Sequence, residues 1–300
     1  MEVVLGLAAA LLFSLGTVLQ QLEAARASED EARRAGFLLR LARRPRWLAG
    51  IASDALGFAA QATALAIGRL VVVQPLLATS VVFSLPLGVK LEGRRIGRRQ
   101  WVAAAAVTLG LAGFLVVADP SGGREDATTL GWIVSFAVFG GVSVALLVAA
   151  RGRSPVHRAA MLGSAAGILF GLTAALTKAT VEEIDDGVLA VLGDWHLYAL
   201  VVVGYAATML TQASLQAGPL APAVATQSSL NPIASFLLGT LVFDETIHES
   251  AAGWVAALVA FGVMLVGLVV LSVAVPPVVA APAPVAAPAG GGGAGERPAG

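Results

Sequence analysis

Nine stretches of mostly apolar residues run through this 300-residue chain, and no other feature of the sequence constrains its fold as tightly. A helix rises about 1.5 Å per residue, so about 20 apolar residues cross a hydrocarbon core of roughly 30 Å. The stretches cover residues 3–22, 47–68, 70–89, 101–118, 130–150, 159–180, 197–217, 220–242 and 252–274. They predict an all-α, polytopic transmembrane bundle of nine spans. The second and third are separated only by Gly68-Arg69, so they must form a tight hairpin. The first span begins Met-Glu and has no basic leader or clear small-residue cleavage site, which separates it from a signal peptide.

Composition agrees with this reading. Hydrophobic residues make up 57% of the chain and charged ones 13%, and the mean hydropathy is +0.84. A basic nucleic-acid surface is not expected. The absence of cysteine removes disulfides, thiolate metal sites and cysteine nucleophiles. Walker A, HExxH, GxSxG and strand-linked GxGxxG patterns are missing, so neither ATP-driven transport nor the usual hydrolase chemistry is expected, and no cofactor.

Basic residues are retained on the cytoplasmic side of a bacterial-type membrane. Fifteen of the nineteen Lys and Arg residues fall in the first, third and fifth loops, from Arg26 to Arg46, Lys90 to Arg99 and Arg151 to Arg158. The sixth loop carries Glu182, Glu183, Asp185, Asp186 and Asp194, and the eighth Asp244, Glu245 and Glu249. The expected orientation in a plasma (inner) membrane places the N-terminus outside and the C-terminus in the cytoplasm. Residues 275–300, built from Ala, Pro and Gly, are expected to form a disordered cytoplasmic tail.

The chain also resembles itself. Leu12-Phe13-Ser14-Leu15 aligns with Leu169-Phe170-Gly171-Leu172, Gly6 with Gly163 and Gln21 with Lys178. Glu92 and Trp101 align with Glu245 and Trp254, and at the same offset Gln74 aligns with Gln227. The expected organisation is a first repeat (1–118, spans one to four), a linking span (119–158), and a second repeat (159–274, spans six to nine). An offset of five spans inverts the second copy, which creates two alternative gates around one central site.

With these motifs the chain resembles the drug/metabolite transporter superfamily (EamA-like). The resemblance rests on the Leu-Phe-Ser-Leu-Gly helix and on Asn231-Pro232 leading to Phe243-Asp244-Glu245, and it covers roughly residues 3–272. The nine-span layout, Trp47-Leu48-Ala49-Gly50 and Gln74-Pro75-Leu76 are most similar to NIPA-type magnesium transporters. That pattern has a Gly-Glu pair in the second helix, whereas here Phe58 follows Gly57 and the nearest acid is Asp54. The resemblance implies a secondary permease working by alternating access, with a NIPA-like divalent-cation carrier as the alternative within the class. A non-transporting membrane scaffold or complex subunit is the alternative outside it.

Asp54 is the one acid well inside a span and shares a helix face with Gly50, Gly57 and Gln61. It reads either as a cation or proton site, and so as the one metal candidate, or as a carboxylate about 10 Å in from the cytoplasmic end that reaches water or a helix-capping donor. Gln74 and Gln227 lie beside Pro75 and Pro222, where interrupted helices expose backbone groups. Asn231, Gln21 and Lys178 complete the candidates for binding a small molecule or ion. Gly6, Ala10, Ser14 and Thr17, like Gly163, Gly167, Gly171 and Ala174, form small-residue stripes suited to close helix packing. Glu92 and Glu245 read as capping or charge-pairing groups, and His157, His196 and His248 as surface residues. Besides solute and lipid bilayer, the sequence leaves a homodimer open.

A cysteine introduced at Asp186 of this cysteine-free chain should react with an impermeant maleimide only from the non-cytoplasmic side. Labelling only from the cytoplasmic side would overturn both the orientation and the inverted repeat.

Overall fold

The computed structural model describes residues 1–25, 43–92, 96–118, 121–124, 126–246 and 250–274. Most of the first-loop arginines, Arg94, Arg95, His248, Glu249 and the tail lie outside the described residues, as do the side chains of Gln21, Glu92, Asp185 and Asp186.

Among the described residues the regular elements are helical apart from one two-residue β pair. In order the chain forms α1 (Glu2–Ala25), α2 (Pro45–Ile67), α3 (Leu70–Ala78), α4 (Ser80–Glu92) and α5 (Arg98–Ala118). After β1 (Ser121–Gly122) come α6 (Thr129–Ser135), a π-helical turn (Phe136–Gly140) and α7 (Gly141–Ala149). Then follow α8 (Pro155–Glu182), a 3-10 turn (Glu183–Asp186), α9 (Val188–Gly193), α10 (Trp195–Ala217), α11 (Leu220–Leu241), β2 (Glu245–Thr246) and α12 (Ala251–Ala274).

Among the described residues, eight helical segments are long and apolar enough to cross a bilayer: α1, α2, α3 with α4, α5, α6 with α7, α8, α10 and α12. Nine are expected from the sequence. The remaining one, α11, has 22 residues and therefore the length, but Gln227, Ser228, Ser229 and Asn231 dilute its apolarity.

Local chemistry sets the helix ends. Pro45 and Pro155 occupy first-turn positions where no N–H is needed. Thr128 accepts a hydrogen bond from the Gly131 amide and Asp194 from the His196 amide, each capping an N-terminus. The third span bends at Thr79, four residues past Pro75, where the Thr79 hydroxyl donates to the Leu76 carbonyl at 2.6 Å.

Lipid tails are as apolar as leucine, so helices in a membrane associate through close fit rather than hydrophobic burial. Glycine supplies that fit here. Along α8, a Cβ at Gly163, Gly167 or Gly171 would lie 2.4 to 2.6 Å from atoms of α11, namely the Ala223 carbonyl, the Gln227 carbonyl and Ala234. On α1 and α2, Gly16 lies against Asp54, Gly50 against Gln20 and Gly57 against Phe13. Between α5 and α12 the approach is reciprocal: Gly110 faces the Met264 amide and the Ala260 carbonyl, while Gly267 faces the Val107 amide and the Ala103 carbonyl. Each contact maps onto the other by the same 157-residue offset that relates Gly6 to Gly163, and the two helices run antiparallel through it. Leu109, Val116, Val202 and Val266 stay exposed on the outer faces, where lipid covers them.

Gly163→Ala should therefore lower stability in detergent by about 1 to 3 kcal/mol, because a backbone carbonyl must move. Gly140→Ala, with nothing within 4 Å of the new methyl, should be neutral or slightly stabilising. Equal thermal-unfolding shifts for the two would overturn the packing account.

Candidate solute cavity

A part-open cavity of about 340 Å³ lies between α1, α2, α3 with α4, α8 and α11. From α1 comes Phe13, from α2 Phe58 and Gln61, and from α3 and α4 Gln74, Leu77, Ala78, Ser80 and Val81. Phe170, Thr173 and Ala174 come from α8, and Gln227, Ser228, Asn231 and Pro232 from α11. Four of the seven residues singled out from the sequence, Gln61, Gln74, Gln227 and Asn231, thus share one wall-to-wall space. Gln74 reaches it from α3 and Gln227 from α11, at different distances from their helix starts: Gln74 is six residues past the hairpin Gly68, Gln227 nine past Gly218. At about 1.5 Å per residue that is a difference of roughly 4.5 Å.

The polar groups of the cavity are unevenly committed. Gln227 Oε1 accepts from the Thr211 hydroxyl at 3.2 Å, and Asn231 Oδ1 from Ser235 at 3.4 Å. Gln74 is only 3% exposed, and its Nε2 has no hydrogen-bond partner. Buried amide donors are almost always satisfied, and of the buried side-chain atoms without a hydrogen-bond partner among the described residues, on Ser14, Gln74, His196 and Ser272, only that of Gln74 belongs to the cavity lining. Pro232 has no N–H to give the Ser228 carbonyl one turn back.

Asp54 lies outside this lining. It faces α1, where Gln20 Nε2 donates to its Oδ2 at 2.5 Å and Gly16 leaves room for it. Helix phase put Asp54 on the Gln61 face, but a side chain seven residues away meets a different neighbour. No cluster of three or more His, Cys, Asp or Glu that could hold a metal ion occurs among the described residues.

Lys178 also lies outside the cavity, about one turn beyond Thr173 and Ala174. It is 6% exposed, so it does not extend to the membrane surface. Its Nζ donates to the Gly68 carbonyl at 3.2 Å and lies 3.6 Å from Glu245 Oε1 and 5.7 Å from the centre of the Phe243 ring. Glu245, fully enclosed, accepts from the Leu70 amide at 2.8 Å and from the Val71 amide at 2.8 Å. Glu2 completes the group by accepting from the Arg69 amide at 3.1 Å. The Glu245 reading as cap and charge partner is thus what its contacts show, on the hairpin between α2 and α3. Burial pushes its carboxyl above the ordinary carboxylate range, while the Val71 and Leu70 amides and the Lys178 ammonium act against that shift.

A second contact group lies in the loops that precede α6 and α10. His196 is 4% exposed, which corrects its reading as a surface histidine. Asp194 Oδ2 lies 2.6 Å from its Nδ1 and Asp126 Oδ1 3.4 Å from its Nε2, with Trp132 and Trp195 against the ring.

Sequence reasoning left out the aromatic part of the cavity. Phe13 and Phe170 both line it, and they are the equivalent residues of the repeated Leu-Phe-Ser-Leu and Leu-Phe-Gly-Leu motifs, so the signal was present. Phe58, next to Gly57, carried no such mark.

Fold and cavity together define an α-helical integral membrane protein with a pocket lined by amides, hydroxyls and aromatic rings. The chain is 31% identical over 277 residues to an uncharacterized protein, Cgl0250/cg0304, of Corynebacterium glutamicum, across 91% of this chain and 94% of that one. It belongs to the same family as that protein. No family model matches the chain, and no solved structure matches it.

Replacing Lys178 with Met or Glu245 with Gln leaves one buried charge without its partner and should cost about 3 to 5 kcal/mol in either case. The double replacement should cost clearly less than the sum, as read from thermal unfolding. Additive losses would show that the two side chains act independently.

Proposed function

We propose that this chain is a secondary transporter, a permease of the drug/metabolite type, that moves a small solute across the plasma membrane by alternating access. The observation that carries the reading is the part-open cavity with Gln74 buried in its wall and lacking a partner. A scaffold has no need of paired amides around a cavity, whereas a transporter uses such groups to hold its solute.

In this reading α11 is the ninth span, crossing despite its polar residues because they turn toward the cavity and toward α8 and α10. The two repeats are inverted copies. An in-plane two-fold axis brings equivalent helices together antiparallel with reciprocal contacts, and the α5–α12 glycine contacts have that character. The contacts that join Gly68, Leu70 and Val71 to Lys178 and Glu245 would then close the non-cytoplasmic end. The basic loops would flank the end from which solute enters this conformation.

The magnesium-carrier alternative fits less well. Magnesium is bound through carboxylates and retained waters in near-octahedral geometry. The cavity lining contains no carboxylate.

Ala78→Trp should fill the cavity and abolish solute counterflow in proteoliposomes, with expression and melting temperature close to wild type. Asp54→Asn, which keeps an acceptor for Gln20, should leave flux unchanged. Normal flux in Ala78→Trp would remove the cavity from the pathway; lost flux in a folded Asp54→Asn would return Asp54 to it.

A further inference from the structure

We infer that the cavity is built for a small, uncharged solute that pairs a hydrogen-bonding group of the amide type with an apolar, flat body. This rests on the cavity being the solute's resting place and names the class of solute.

Charge is the first discriminator. No ionisable side chain lines the cavity among the described residues. The nearest buried charges are committed elsewhere: Lys178 and Glu245 to one another and to the hairpin backbone, Asp54 to Gln20 on the α1 side. An ion resting there would give up its water without meeting a counter-charge. Aromatic faces attract cations, but that attraction alone replaces little of the lost hydration.

The polar groups then set the hydrogen bonding. Gln74 carries an amide without a hydrogen-bond partner, its nitrogen buried in the wall, and an amide side chain offers both a donor and an acceptor. On the α11 wall, Gln227 and Asn231 add two further amides, each with donor and acceptor capacity. Gln227 Oε1 lies 3.2 Å from the Thr211 hydroxyl, which also reaches the Ala207 carbonyl at 3.0 Å, and Gln227 Nε2 is a donor. A primary or secondary amide, or a heteroaromatic ring with equivalent edges, presents one donor and one acceptor together. A simple hydrocarbon satisfies neither wall, and a polyol leaves the apolar remainder unused. That remainder is Phe13, Phe58 and Phe170, three rings supplied by three helices, which suit a planar body. A volume of about 340 Å³ falls at the small end of ligand cavities and fits a body of one or two rings.

The test uses isosteric probes that differ in charge: benzamide (neutral), benzoate (anionic) and benzamidinium (cationic), added to the full-length chain in lipid nanodiscs. Benzamide should raise the melting temperature and bind saturably, and the two ions should bind at least tenfold more weakly. Gln74→Leu should weaken benzamide about tenfold, the worth of one buried hydrogen bond. If that variant does not fold, Gln61→Leu on the half-exposed α2 wall serves in its place, and Gln74→Glu should shift the preference to benzamidinium. Equal or tighter binding of either ion, or no saturable binding of benzamide, would overturn the solute class. Counterflow of the same three probes in proteoliposomes separates this from the transport reading. Binding of benzamide without flux would overturn transport and leave the solute class standing, whereas flux of an ion but not of benzamide would do the reverse.

Discussion

The hairpin between α2 and α3 poses the structural problem that much of this bundle is arranged to solve. Two helices that meet at Gly68-Arg69 leave a C-terminal carbonyl and the first amides of the next helix without helical partners. Leu70 and Val71 are fully buried, so water cannot serve them. Lys178, from the end of α8, takes the Gly68 carbonyl, and Glu245, from the turn after α11, takes the Leu70 and Val71 amides. Asp244 adopts a left-handed φ of 52°, which bends the chain sharply ahead of Glu245. A buried ion pair by itself is weak support for a fold. Here each charge also ends a helix, so removing one strands both its counter-charge and a backbone group. Three helices distant in sequence are thereby fixed to one another at a single end of the molecule.

Away from that end, association depends on backbone proximity. The α8–α11 and α5–α12 pairs approach so closely that a single methyl would collide with main-chain atoms. Such interfaces resist sliding, because each glycine fits one opposing turn. The α8 segment is the most enclosed of the candidate spans, with 67% of its apolar window buried, against 17% for α6 with α7 and for α10. It therefore acts as the post around which the cavity walls stand, with its glycines turned to α11, its threonine and phenylalanine to the cavity, and its last turn to the hairpin.

Much of this architecture was legible in the sequence because membrane helices are specified locally. Apolar length gave the spans, prolines at 45 and 155 gave helix starts, and the tight Gly68-Arg69 link gave the hairpin. The polar residues Gln61, Gln74, Gln227 and Asn231 were readable for the same reason, since an amide inside an apolar run needs an interior place. What was not legible depends on neighbours. Lys178 meets Gly68 across 110 residues and Glu245 meets Leu70 across 175, and no spacing rule links such positions. Asp54 was placed on the correct helix, but periodicity gives a face and not its occupant, and that occupant is Gln20. His196 looked like a loop residue because two acids and two tryptophans that enclose it come from separate segments.

The helix that apolarity describes worst, α11, shows why the site and the membrane signal oppose each other. A lipid-facing helix gains from every apolar residue, but one that lines a polar cavity must carry amides and hydroxyls, each of which lowers its hydropathy. Four such side chains in sequence, from Gln227 to Asn231 around Leu230, leave α11 long enough to cross and too polar to register. In the proposed reading, where α11 crosses the membrane, its place beside α8, α10 and α3 offsets the penalty: Ser229 gives its hydroxyl to the Ala225 carbonyl, Gln227 is met by Thr211 of α10, and glycines of α8 cover the backbone. Pro232 adds a gap in the helical ladder, which is tolerable in a membrane only where protein or a polar cavity adjoins it. In a chain of this kind, the segment that falls short as a membrane helix is therefore the place to look for the site.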